Sequence, residues 1–103
     1  MNETVSKLLL SLLVSLITAS GVFAQDVQGR NWAGACTGCH GTEGRSSGSI
    51  PPLAGIEKSK FVRLMTAFRD GEQPATIMQQ LAKGLDDYQI DVLGDYFASR
   101  APR

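Results

Sequence analysis

Cys36-Thr37-Gly38-Cys39-His40 gathers both cysteines and the only histidine of the 103-residue chain into five consecutive positions. Two thiols separated by two residues and followed directly by an imidazole have the spacing of covalent attachment to a c-type haem. On one helical turn the thiols reach the two vinyl groups of one porphyrin, and the adjacent imidazole lies under the iron as its proximal ligand. Thr37 and Gly38 are small enough to let the macrocycle lie against the backbone. Three other uses of the same residues fit less well. A thioredoxin-like dithiol expects a strand–helix context that the chain lacks. A zinc site needs further Cys or His ligands. A disulfide across two residues is strained by the preferred Cα separation.

What closes the other face of the iron decides the chemistry. Beyond the first 24 residues the methionines are Met65 and Met78. Met65 falls in the apolar stripe of a helix, where a thioether serves packing. Met78 stands where a loop turns into a short helix, after Pro74 and before Gly84, and is the expected distal ligand. A His/Met pair saturates the iron and suits outer-sphere electron transfer at a raised potential, whereas an open sixth position permits ligand binding or peroxide chemistry. Bis-histidine ligation within the chain is excluded by the single histidine. A haem-ligating histidine normally donates its other ring N–H to a carbonyl. The rigid Pro51-Pro52 pair can supply one, Pro51 as the candidate and Pro52 as the alternate.

These residues need helices to position them. Asp26 to Cys39 reads as a first helix with Val27, Trp32 and Ala35 as an apolar stripe. Gly29 and Gly34 are small positions on it; Gly29 either admits a crossing aromatic or marks a frayed helix start. Gly41 to Gly55 is loop. Lys58 to Asp70 is an amphipathic helix with Phe61, Leu64, Met65 and Phe68 on one face, ended by Gly71. Thr76 with Gln79 has capping-box form before a short helix closed by Gly84, and Asp86 with Gln89 has it again before a last helix carrying Ile90, Leu93 and Phe97. No strand pattern, internal repeat or low-complexity segment interrupts this all-α reading.

The start of the chain has a different character. Residues 1–24 read as a signal peptide: Lys7 in a weakly positive start, the apolar run Leu8 to Ile17, then small residues ending in Val22-Phe23-Ala24. The run is shorter than the roughly 20 residues that span a bilayer, so cleavage is expected rather than retention as an anchor. Residues 25–103 then form one domain, too small for a large core and in need of a staple such as a covalent haem. The formal net charge is zero, and removal of Glu3 and Lys7 together leaves the balance unchanged. Nothing in it points to nucleic acid or to a membrane surface as a partner.

Taken together these stretches make the chain resemble the class I c-type cytochromes from residue 25 to its end. The matching segments are Cys36-Thr37-Gly38-Cys39-His40-Gly41, Ile50-Pro51-Pro52-Leu53-Ala54-Gly55, Ala75-Thr76-Ile77-Met78 and Leu93-Gly94-Asp95-Tyr96-Phe97. The second and third resemble most the small periplasmic group that includes the cytochrome subunit of flavocytochrome c sulfide dehydrogenase. The resemblance implies an all-α fold of a few short helices, roughly three to five, around one covalent haem c, with first and last helices crossing at Gly29 against Tyr96 or Phe97. It implies thioethers from Cys36 and Cys39, His40 and Met78 as axial ligands, and the Pro51 carbonyl on His40. It further implies a periplasmic one-electron carrier, not an enzyme, that takes electrons from a sulfide-oxidising flavoprotein. Some members of that group carry two haem domains, and this chain has one motif. A free diffusible cytochrome is the alternative, and a haem peroxidase or ligand sensor would require an open distal site.

Overall fold

The computed structural model describes residues 2–102, with the side chains of 16–20 and 22 outside that description. Leu16, Ile17 and Val22 of the expected leader therefore lie outside the described side chains. The chain is all-helical: α1 (Glu3–His40), a 3-10 turn (Thr42–Gly44), α2 (Lys58–Arg69), α3 (Met78–Lys83) and α4 (Asp87–Ala98). Among the described residues there is no strand.

α1 begins at Glu3, not at Asp26 as the pattern predicts. The leucine-rich stretch before it has high helix propensity, and no proline breaks the ladder between the two segments. A helix of 38 residues is about 57 Å long, which accounts for most of the 65 Å long axis. The described side chains of its first part, up to residue 25, are exposed, Leu8 by 61% and Leu12 by 63%. At Asp26 it becomes tied to the rest of the molecule, where the carboxylate accepts from an Arg100 Nη at 2.7 Å. Arg100 also lies 4.4 Å over the Tyr96 ring.

α1 and α4 cross where the backbones can approach. A Cβ on Gly29 would stand 2.9 Å from the Cβ of Tyr96, so Tyr96 rather than Phe97 is the aromatic admitted there. Ala33, one turn further, is buried in the same core with Phe61, Met65, Ile90, Leu93, Tyr96 and Phe97. Of the expected stripe of Val27, Trp32 and Ala35 only Trp32 packs against this core; Val27 is 57% exposed and Ala35 exposed. Small residues mark the packed side because α4 comes so close. Gly34 meets nothing within 4 Å, so the close approach allowed for at that position does not occur.

The later helices follow local rules with one exception. α2 ends as expected, with Glu72 N–H on Ala67 C=O at 2.9 Å and Gly71 N–H on Phe68 C=O at 3.2 Å, the paired bonds of a Schellman end. α4 opens on a full capping box: Gln89 N–H donates to Asp86 Oδ1 at 2.8 Å, and Asp86 N–H to Gln89 Oε1 at 2.9 Å. The Thr76/Gln79 box does not form. α3 starts at Met78 with Ile77 at its N-cap, already near helical dihedrals, so Thr76 stands one residue too early to cap it. Gly84 closes α3 as expected, with ordinary right-handed dihedrals. Across the helices, Lys58 on α2 pairs with Asp91 at 3.0 Å and Asp95 at 3.1 Å on α4.

Candidate haem site

The side chains that α1 turns away from α4 face a cavity of about 390 Å³. α1 contributes Trp32, Ala35, Cys36 and His40; the proline loop contributes Pro51, Pro52 and Leu53. α2 supplies Phe61, Leu64, Met65 and Phe68, the whole stripe expected from its periodicity, and α3 supplies Met78 and Leu81. The half-buried state of Phe68 and Met78 follows from this position, since each has one side on the core and one on the cavity; Leu64 lines the cavity and is likewise half-buried. Ala35 thus belongs to the cavity wall, whereas Trp32 both lines it and meets Tyr88 of α4 edge-on, with ring centroids 5.9 Å apart.

His40 ends α1, and its Nδ1 lies 2.6 Å from the Pro51 carbonyl oxygen. A carbonyl only accepts, so Nδ1–H is the donor and Nε2 keeps its lone pair. The carbonyl comes from Pro51 and not from Pro52. Its position is set by a loop folded around Gly44. The Gly44 carbonyl accepts from Leu53 N–H at 2.8 Å and Ala54 N–H at 3.1 Å. Gly44 has φ +78°, and a Cβ there would lie 2.9 Å from Phe97 Cδ1 and 3.0 Å from Leu53 Cβ. Gly55 N–H then donates to the Phe97 carbonyl at 2.9 Å, and Arg45 Nε to the Ala101 carbonyl at 2.7 Å. The loop hung between α1 and α4 is therefore fixed at both ends. Sequence reasoning treated Gly44 only as loop; its close contact with Phe97 is long-range and leaves no local signal.

Both cysteines are free thiols, Cys36 half-buried beside the core and Cys39 exposed. Burial pushes the Cys36 thiol above its ordinary range. Both Met65 and Met78 reach the cavity, but differently. Met65 is buried in the core cluster, whereas Met78 opens α3 at the cavity wall and packs against that cluster from outside. The Cys36 thiol, an imidazole with a free Nε2 and a thioether on a mostly apolar wall, with Cys39 exposed outside that wall next to His40, fit a haem, which brings its own four nitrogen donors and a large apolar face. On the cavity wall Leu81 is 50% exposed, and Ile77, which precedes Met78 in sequence, is 64% exposed.

No protein-family model matches the chain. The cytochrome c-554(548) of Halomonas halodenitrificans is 33% identical over 76 residues, which cover 70% of this chain and 92% of that protein. The chain belongs to the class I c-type cytochromes. The cytochrome subunit of sulfide dehydrogenase of Chlorobaculum tepidum is 34% identical over 65 residues, 63% of this chain and 59% of that subunit. Among solved structures, cytochrome c4 of Acidithiobacillus ferrooxidans, whose structure supports a complex-induced tuning of electron transfer, superposes with a TM-score of 0.61 at 34% identity. That match covers 63% of this chain and 38% of cytochrome c4. The chain thus spans less than two thirds of these last two relatives. As a c-type cytochrome it has the all-α fold built around a covalent haem c.

Proposed function

We propose that this cytochrome holds its haem through Cys36 and Cys39, with His40 and Met78 as axial ligands, and passes single electrons between redox proteins in the periplasm. The observation that carries the proposal is the His40–Pro51 bond on the wall of the apolar cavity that also receives Cys36 and Met78. Each thiol would add across a vinyl group, sulfur to one carbon and hydrogen to the other, a step that needs no oxidant. Pro51 fixes the His40 ring and its tautomer, so that Nε2 faces the metal and gains basicity. When bound, the haem supplies the one-electron couple. The surrounding Leu64, Phe68 and Leu93 exclude water, and a dry thioether-ligated site raises the potential. No group in the site is asked to move a proton.

In the narrower form of the proposal, the donor is a sulfide-oxidising flavoprotein. The likeness to the Chlorobaculum tepidum subunit supports it. So does the exposed apolar surface of Leu81 on the cavity wall, which with zero formal charge favours contact docking over long-range steering. A free carrier is the second reading, favoured by the near-complete coverage of the Halomonas protein. Residues 1–24 act in this scheme as the export signal.

Met78→Ala separates the ligand sets. The variant is expected to keep its covalent haem, lose the charge-transfer band of thioether–ferric iron and bind cyanide or carbon monoxide readily. An unchanged spectrum would remove Met78 from the iron. Co-purification from the periplasm at low salt decides the partner: a flavin-containing polypeptide supports the subunit form, and a lone red monomer supports the free carrier.

A further inference from the structure

The cavity wall contains one permanently charged side chain, Lys60, among residues that are otherwise apolar or already assigned to the metal. Lys60 sits in the first turn of α2, where the positive end of the helix dipole adds to its own charge. Its environment differs sharply from that of Lys58, two residues earlier. Lys58 is tied across to Asp91 and Asp95 on α4. Lys60 has no hydrogen bond or ion pair among the described residues, and the nearest acid in sequence, Glu57, takes the hydroxyl of Ser59 instead. A haem carries two carboxylates, which need a cation or a donor if they are to sit beside so apolar a wall. The other uncommitted donor on the wall is the indole N–H of Trp32, half-buried and likewise unpaired among the described residues.

We infer that Lys60 is the cationic partner of a haem propionate, an assignment that rests on the proposed haem site, and that through this pairing it raises the reduction potential. The Lys60 ammonium neutralises a carboxylate held close to the iron, and less negative charge there favours the ferrous state. Lys60 is thus a positioning and tuning residue, distinct from Lys58, which serves the α2–α4 contact.

The test uses the purified full protein with its haem and measures the midpoint potential by spectroelectrochemistry at neutral pH and low salt. Lys60→Gln is compared with Lys60→Arg and with Lys83→Gln, which removes an exposed lysine at the end of α3. Lys60→Gln is expected to shift the ferric/ferrous equilibrium about tenfold toward the ferric form, or about 59 mV for a one-electron couple. Lys60→Arg is expected to restore most of that shift, and Lys83→Gln to produce less than a third of it. Equal shifts from Lys60→Gln and Lys83→Gln would overturn the assignment while leaving the haem site intact. A wild-type protein without thioether-bound haem would instead overturn the site on which the inference rests.

Discussion

On one side of α1, Gly29 and Ala33 are closed by Tyr96 and Phe97; on another, Trp32, Ala35 and Cys36 face a cavity of about 390 Å³. The first seam is completed by the polypeptide. Tyr96 and Phe97 meet edge-on with ring centroids 5.1 Å apart, and Phe61 reaches Phe97 at 5.8 Å. Across the second, Leu64, Phe68 and Met78 are half-buried and line the cavity. One helix therefore carries a finished interface and one that waits for a flat apolar plate. The difference teaches that the haem is a structural layer of this small domain as well as its redox group.

The largest expected effect comes from withholding that layer. A Cys36→Ser, Cys39→Ser double variant is expected to lose covalent haem and with it on the order of 5 kcal/mol of burial from the cavity-facing side chains. Hydrogen exchange should then accelerate in α2 and α3 far more than in α4 from Ile90 to Phe97. Uniform acceleration would mean that the two sides are not separable.

Breaking the finished side should cost less in total, and differently. Phe97→Ala removes a side chain with no solvent exposure from the junction of α1, α2, α4 and the Gly44 loop. A loss of about 3–5 kcal/mol is expected from transfer and cavity terms. Denaturant unfolding of the haem-loaded protein measures it, and the axial-ligand spectrum should persist below the transition. Loss of the His40 ligation before unfolding would show that the Pro51 loop depends on Phe97 more than its own bonds imply.

What could be read from sequence divides along the same line. The haem pentapeptide, the α2 stripe, the end of α2 at Gly71 and the Asp86/Gln89 box are set by neighbours within a few residues, and periodicity or spacing exposes them. Gly29 was legible because a glycine in a helix asks for a reason, and the family resemblance named two aromatics of which Tyr96 is the one in contact. The packed face of α1 and the fit of Gly44 against Phe97 depend on partners far along the chain, and no local signal marks them; the Thr76 box fails locally, because α3 takes Ile77 as its N-cap. Ala35 reads as core because a residue lining a cofactor cavity has the same periodicity as one in a protein seam.

Lys58 gives the smallest effect and the sharpest contrast with Lys60. Hydrogen bonds to Asp91 and then Asp95 raise its pKa above the ordinary lysine range, against a smaller opposing contribution from desolvation. A raised folded-state pKa means that its contribution is fully present below the ordinary lysine pKa and is lost as pH rises through the folded one. Stability from this pair should therefore be flat through neutrality and decline only on the alkaline side. The side chains are 39% and 55% exposed, so screening limits the contribution to about 0.5 kcal/mol. Lys58→Gln is expected to lower stability by that amount at low salt and by almost nothing at 1 M salt, where the Debye length is about 3 Å. Its midpoint potential should stay close to wild type. A potential shift as large as that of Lys60→Gln would show that charge anywhere on the first turn of α2 tunes the iron, and the distinction between the paired and the unpaired lysine would collapse.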